Sequence, residues 1–135
     1  MAFRLGTTMR DNACNGIVDT IDQGTGAGTI KHYTGAQPST VALNPSGTLL
    51  GTNTFSDPAF GASSVGVATA GAIGNDTSAD ASGTAAHFVF LDSDANPLAD
   101  GDTGQGSGTC NFDNAVIVAG GIIAISSATV TVPIS

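Results

Sequence analysis

The sequence predicts a mainly β protein, a β-sandwich with one short helix at its amino terminus. Glycine fills 19 of the 135 positions, and only 10% of the residues are charged while 41% are hydrophobic. That composition is typical of short strands joined by many turns. All 11 acidic residues are Asp, which favours turns and caps over helix interiors. The length suits a single domain over 1–135, with an arm and helix over 1–24 and a sandwich over 25–135.

The one persuasive helix covers residues 7 to 22. Thr7 or Thr8 can cap its start, and Gly24 can end it. Gly16 lowers the helix propensity by up to about 1 kcal/mol relative to Ala, so we expect the helix to need packing against the rest of the fold or a neighbouring subunit. An apolar side chain recurs at every fourth position and predicts the buried face, namely Met9, Ala13, Ile17 and Ile21.

Eight β-favouring segments follow the helix, and their number and turns predict the sandwich. The segment 86–91 is almost continuously apolar, so we expect it at the centre of a sheet, followed by a turn at 95–97 and a shorter return strand. In the last segment apolar and Thr side chains alternate, which predicts one face of Ala128, Val130 and Val132 and another of Thr129 and Thr131, and we expect one of the two faces to belong to the core. The segments are 29–34, 48–55, 63–70, 84–91, 97–100, 109–112, 115–118 and 122–132.

One Asp-rich stretch is a candidate cation loop, since Asp92, Asp94 and Asn96 offer alternating oxygen ligands of the kind that Ca²⁺ prefers. It differs from an EF-hand because Pro97 stands where a Gly is needed and Thr103 stands where a Glu is needed. Asp and Asn also form turns through their own side chains. We therefore interpret the stretch as a structural hairpin and predict no metal and no cofactor.

The remaining reactive side chains lie outside recognisable catalytic motifs. His32 and His87 fall within predicted strands, so we interpret them as sheet histidines with ordinary hydrogen bonds. Cys14 and Cys110 are too sparse for a disulfide scaffold and too distant in sequence for a local metal knuckle, which favours two reduced, buried thiols. The chain also lacks a Gly-x-Ser-x-Gly elbow. We predict no catalytic residues and no enzymatic activity.

The charge and hydropathy of the chain argue against two classes of partner, nucleic acids and membranes. A net charge of −8 with three Lys and Arg argues against direct binding to nucleic acid, which requires clustered cations. The sequence contains no run near the roughly 18 apolar residues that span a bilayer, and no secretory signal pattern. We expect a protein made and assembled in the cytoplasm, without membrane association.

Two segments carry a resemblance to a known family. The opening Phe3-Arg4-Leu5-Gly6-Thr7-Thr8-Met9-Arg10 precedes a strand and rigid turn over 28–38, in which Gly35 permits a positive φ and Pro38 holds Gln37 extended; Gly47-Thr-Leu-Leu50 follows. This order resembles the capsid cement, or head decoration, proteins of tailed bacteriophages. The resemblance covers about the first third of the chain by motif and the rest by composition.

The resemblance implies a jelly-roll-like sandwich and a virion structural protein. Such a protein binds the outer surface of the icosahedral head, stabilises contacts between major capsid protein subunits, and is assembled in the host cytoplasm. We expect self-association, with a dimer favoured and a trimer as the alternative. The expected capsid or intersubunit contacts come from the arm and helix, although the same side chains could instead close one end of the sandwich: Phe3, Arg4, Leu5, Met9 and Arg10.

Two other functions fit parts of the sequence. A phage tail or fibre component can have the same β-rich, Gly- and Thr-rich composition, and copy number would separate it from a cement protein. A carbohydrate-binding β-sandwich normally presents exposed aromatic platforms, but this chain has no Trp and one Tyr. The cement protein is therefore the leading hypothesis.

Overall fold

Ten strands and one α-helix form the part of the chain that a computed structural model describes, residues 2–104 and 109–135. The predicted class, mainly β with an amino-terminal helix, is confirmed. The helix α1 covers Thr7–Asp19 and continues into a short 3-10 helix, Thr20–Asp22. The strands are β1 Thr29–Tyr33, β2 Leu49–Phe55, β3 Val67–Thr69, β4 Ile73–Gly74, β5 Gly83–Thr84, β6 His87–Leu91, β7 Pro97–Gly104, β8 Cys110–Phe112, β9 Val116–Ile117 and β10 Ile125–Thr131.

Eight strands form one sheet in the order β3-β10-β8-β7-β6-β1-β2-β4, and β5 pairs with β9 in a separate small sheet. All pairs are antiparallel except β7 with β8. The large sheet is curled into a half-barrel, unlike the two facing sheets expected from the sequence. Its pairing register shifts at three places, and such bulges bend strands and increase their twist.

Each predicted segment overlaps an observed strand, although 84–91 includes parts of both β5 and β6, and only three residues of 63–70 form β3. Strand β6 lies inside the sheet with all five of its side chains buried, as its continuous apolar character predicted. The hairpin partner β7 has eight residues, so the expectation of a shorter return strand was wrong. Strand β4 was missed because Ile73–Gly74 is too short for a recognisable pattern.

The helix buries a different face from the one predicted. Arg10, Cys14 and Val18 are buried together with Ile21, whereas Met9, Ala13 and Ile17 are exposed. Only the last member of the predicted face was right. The difference arises because the carbonyl groups of Val130 in β10 and of Val132 just beyond it satisfy the polar atoms of the true face. The buried positions 10, 14 and 18 each lie one residue after a position predicted to be buried. Because Arg10 is polar, the sequence pattern did not reveal this face.

Hydrogen bonds explain why a guanidinium and a thiol can lie on the buried face. Arg10 Nε donates to Val132 O at 2.9 Å, and Cys14 Sγ donates to Val130 O at 3.5 Å. The helix begins after Gly6 without a side-chain cap, so neither Thr7 nor Thr8 caps it. Gly24 follows the 3-10 helix with a φ of +101°, consistent with its predicted role at the end of the helix.

Two groups of buried residues fill the inner face of the half-barrel. The helix cluster includes four aromatic rings, Phe55, Phe60, Phe88 and Phe90, packed with α1 and β10. The apolar face of the last segment is the one that joins the core, since Ala128 is buried in this cluster and the next two apolar residues of that face pack against it. The loop cluster comprises Leu50, Ala79, Ala85, Phe112, Ile117 and Ile123.

Candidate interaction surfaces

His32 occupies the junction between the two clusters. It shares a face of the sheet with Phe88, its partner on β6, and its ring meets Phe112 edge-on at a centroid distance of 4.6 Å. Asn53 donates from Nδ2 to the carbonyl oxygens of Gly74 and Ile123. Its Oδ1 is therefore the acceptor at 2.8 Å from His32 Nε2, which must donate.

The electrostatics of His32 follow from that geometry. Burial lowers its pKa to about 4, although the hydrogen bond with Asn53 and the charge of Asp76 act in the opposite direction. Its Nδ1 is buried and has no hydrogen-bond partner among the described residues. A proton added there would be desolvated and unsatisfied. His32 therefore has a structural role in its neutral form, and its protonation at low pH should destabilise the fold.

His87 is also fully buried, and it pairs with Tyr33 next to the pair of His32 and Phe88, so the two histidines lie on opposite faces of the sheet. Its ring stacks on Tyr33 at a centroid distance of 5.4 Å. Its Nδ1 lies 3.1 Å from Gly35 O, and because a carbonyl can only accept, this nitrogen donates. The structure thus separates the two histidines into different environments, each with a local hydrogen bond as the sequence predicted.

The cysteines and the Asp-rich stretch have local structural roles. Cys14 and Cys110 are both free and buried within the helix cluster, and burial raises the pKa of Cys110 to about 12. Asp92 Oδ1 accepts from the N–H groups of Asp94 and Asn96, and its Oδ2 accepts from Asn96 Nδ2, all at 2.9 Å. The side chain and backbone of Asn96 lower the pKa of Asp92. The carboxylate therefore holds the predicted hairpin.

The five predicted contact residues divide into anchored and exposed members. Leu5 is half-buried and its N–H donates to Ile134 O at 2.8 Å, while Arg10 is buried and donates to Val132 O. Phe3 is 79% exposed, and Met9 and Arg4 are exposed as well. Leu5 and Arg10 thus help to close this end of the fold, whereas Phe3, Arg4 and Met9 face outward.

Exposed apolar side chains gather around both chain termini. We define the terminal patch as Phe3, Met9, Val65, Val67 and Ile134, all of which are exposed. Three hydrogen bonds bring their segments together, since the arm bonds to Ile134, Val132 N donates to Gly66 O, and Gly66 N donates to Asp11 on α1. The patch lies beside β3, one edge of the large sheet.

Val65 has an unusual backbone within this patch. Its φ is +54°, in the left-handed region that β-branched residues rarely adopt. The side chain is 57% exposed, so little packing inside the chain offsets this strain. Strain of this kind is often found at functional positions. Val65 is therefore a candidate functional residue, and the sequence pattern did not identify it as one.

A second exposed apolar surface lies on the small sheet. We define the β9 patch as Val116, Val118 and Ile122, each at least 60% exposed. Val116 and Val118 flank the buried Ile117, and Gly121 N donates to Val118 O, which places Ile122 beside the end of this segment. The sequence predicted a strand over 115–118, but this continuous apolar run, Ala-Val-Ile-Val, does not indicate which of its faces remains uncovered.

A groove of about 420 Å³ lies between α1 and the inner face of the sheet. Its lining is mostly apolar: Ile17, Ile21, Phe88, Phe90, Leu98 and Val130. A smaller cavity of about 160 Å³ lies on the outer face, between the sheet and the segment 41–45, and includes Lys31 and Tyr33.

Metal-holding side-chain clusters and membrane-spanning helices are both absent from the described residues, 2–104 and 109–135. These residues contain no group of three or more His, Cys, Asp or Glu side chains arranged to hold a metal ion. None of their helices is long and apolar enough to cross a membrane.

Comparison of the chain with protein-family models, curated proteins and solved structures gives no match.

Proposed function

We propose that this chain is a virion structural protein, a capsid cement protein of a tailed bacteriophage. In this role it binds the outer surface of the icosahedral head and stabilises contacts between major capsid protein subunits. Motifs in the first third of the sequence support the family assignment. The observation that carries the proposal furthest is the presence of two exposed apolar surfaces on separate elements, because a brace must bind in at least two places.

The two surfaces have properties expected of interfaces. Large exposed apolar side chains grouped together mark interaction sites more often than do single ones. The terminal patch includes the strained Val65, and the β9 patch stands on a different sheet. We assign the β9 patch to the shell and the arm with the terminal patch to neighbouring copies. Many modest contacts repeated over a lattice become strong together.

The jelly-roll-like sandwich is part of the same proposal. The large sheet would form one layer, and β5 and β9 with their flanking loops would form a reduced second layer over the loop cluster. The burial of Ile117 in that cluster supports this arrangement. An experimental structure with β5 and β9 facing the large sheet in a jelly-roll order would support it, and a closed barrel would contradict it.

Attachment to heads lacking this protein tests the function. We expect the purified chain to co-sediment with such heads and to raise the temperature at which they rupture. Val118→Glu should abolish both effects, because a buried interface does not accept an unpaired charge. Leu43→Glu is the matched control, since Leu43 is 54% exposed and lies outside both patches. Equal binding by the two variants would contradict the assignment of the β9 patch.

A further inference from the structure

We propose that the cavity between the outer face of the sheet and the segment 41–45 binds a small carboxylate whose apolar body is about the size of a benzene ring. The Lys31 ammonium would hold the carboxylate, and the apolar walls of the cavity would cover the ring. We call this cavity the Lys31 pocket. The inference goes beyond attachment to heads and does not depend on it.

The strand register places the Lys31 side chain in this pocket. Lys31 lies directly opposite Val89 across the pair of β1 and β6. Tyr33 on β1 and Leu91 on β6 each lie two residues further along their strands. Alternate residues of a strand point to the same face, so these four side chains share the outer face. All four line the pocket.

Lys31 contributes a positive charge that has no partner within the chain described. Its ammonium forms no hydrogen bond or ion pair with any residue in 2–104 or 109–135, although the net charge of the chain is −8. A carboxylate bound there would form a charge-assisted hydrogen bond, which is roughly twice as strong as a neutral one. The ligand chemistry that complements the pocket is therefore anionic.

The acidic side chains on the same face leave this charge available. Asp100 and Asp102 lie on β7, two strand spacings or about 10 Å from β1. Asp100 Oδ1 accepts from Gln37 Nε2 at 2.7 Å instead. Exposed charges at this separation are largely screened at physiological salt, where the Debye length is about 8 Å.

The remaining side chains of the lining suit an apolar body. Val89 and Leu91 form the floor and are each 6% exposed. Val41 and Pro45 stand on the covering segment. The pocket has a volume of about 160 Å³, and a cavity of about 150 Å³ can hold benzene. Small-ligand sites typically combine apolar walls with a few polar groups that set the orientation, so the pocket fits a ring that bears one carboxylate.

The Tyr33 ring provides a wall that is held in place before the ligand binds. It stacks on His87 with a centroid distance of 5.4 Å and an angle of 13° between the ring planes, and His87 donates to Gly35 O. Burial raises the pKa of Tyr33, so its hydroxyl stays neutral and does not repel the ligand carboxylate. A wall that is already ordered lowers the entropic cost of binding.

Titration of the full chain with sodium benzoate, followed by NMR, tests the proposal. We expect saturable shifts of the methyl signals of Val89 and Leu91, with a dissociation constant of about 1 mM or below. Lys31→Met keeps an apolar stem and removes the charge, so it should weaken benzoate binding at least about tenfold. Arg4→Met is the matched control, since it removes one positive charge from an exposed position outside the pocket and should leave the affinity unchanged.

Benzyl alcohol separates the role of the charge from that of the ring. It has the same ring but no carboxylate, so it should bind the wild type more weakly than benzoate does, and should bind Lys31→Met and the wild type equally. Isotope-filtered NMR should detect the benzoate ring protons near the methyl groups of Val89 and Leu91. Circular dichroism would establish that each variant remains folded, and the comparison of the two ligands on the wild type needs no variant.

Three results would overturn the inference. They are an absence of saturable shifts up to about 10 mM benzoate, equal benzoate affinity in Lys31→Met and the wild type, and ring contacts confined to another site such as the groove beside α1. Lys31→Met should bind heads like the wild type, so a failure of benzoate binding would leave the proposed function intact. A wild-type chain that binds benzoate but not heads would do the reverse.

Discussion

The two ends of the inner face are built by different means. The helix cluster consists mainly of large side chains from α1 and long strands, including Phe88 and Phe90. The loop cluster has fewer members and is covered by irregular segments whose backbone is held by polar side chains. Packing between regular elements therefore dominates one end, whereas hydrogen bonds that attach loops to the sheet dominate the other.

Asp76 shows how the second type of construction works. Its Oδ2 accepts from Thr52 N at 2.9 Å and its Oδ1 accepts from Ser78 N at 3.0 Å, so the carboxylate takes the place of a neighbouring strand beside β2. A Cβ on Gly51 would lie 2.5 Å from Ile123 Cδ1. The glycine thus allows the covering segment to approach the sheet closely.

The largest expected effect tests the role of aromatic packing. Phe90→Ala should lower the free energy of unfolding by about 3–5 kcal/mol, and Ile123→Ala in the loop cluster by about 2–3 kcal/mol, because loops relax around a cavity more readily than strands do. Urea denaturation of the two variants provides the measurement. A larger loss of stability for Ile123→Ala than for Phe90→Ala would contradict the conclusion that packing contributes more at the helix cluster than at the loop cluster.

The stability of the fold should decrease in acid because of His32, which lies at the junction between the two clusters. The pKa of His32 is about 4 in the folded chain against an ordinary value of 6.5, so between these values the unfolded state binds more protons. Stability should therefore fall as the pH decreases from 6.5 towards 4, by up to about 3 kcal/mol from this group. Above pH 6.5 the contribution should be constant.

The variant His32→Gln isolates this contribution, since Gln does not titrate and its amide can still donate to Asn53. Denaturation curves between pH 7 and 4 should give a difference between wild type and variant that changes over this interval. A constant difference would show that His32 does not couple folding to pH.

Removing the carboxylate at the loop end should have an intermediate effect. Asp76→Ala should cost about 1–3 kcal/mol, because it leaves the N–H of Thr52 without its acceptor. Hydrogen exchange at Thr52 should accelerate in the same variant. Asp80→Ala is the control, since Asp80 is exposed and its contact with Leu50 O uses the backbone. Similar losses in both variants would refute a specific role for Asp76.

The smallest expected effect is a gain in stability at the terminal patch. Val65→Asn should stabilise the chain by about 0.5–1 kcal/mol, because Asn adopts a positive φ more readily than a β-branched residue. Val67→Asn, in the regular strand β3, should give no such gain. Thermal melting would compare them, and a loss of stability in Val65→Asn would mean that the Val side chain packs better than its exposure suggests.

Sequence patterns predicted the strands better than they predicted the surfaces. Glycine and Asp turns bounded most strands, and the apolar run 86–91 correctly indicated a central position. The buried face of α1 could not be predicted in the same way, since Arg10 and Cys14 depend on the carbonyl groups of Val132 and Val130, more than 100 residues away. Local periodicity contains no information about such partners.

The candidate surfaces were predictable only in part. Phe3, Arg4 and Met9 were expected as contacts from the opening motif and are exposed, although the helical spacing had placed Met9 on the buried face; the same motif also included Arg10, which tertiary structure buries. The strained Val65 and the β9 patch were missed because their significance depends on backbone conformation and on which strand face remains uncovered. These are properties of the assembled fold rather than of short segments.

The copy number of this chain in purified virus particles tests the proposed function most directly. Quantitative mass spectrometry would measure its stoichiometry against the major capsid protein. A cement protein should be present at a number comparable with that of the capsid protein, since it binds a repeated lattice. A few copies per particle would contradict this account and favour a tail component, and absence from the particle would exclude both virion roles.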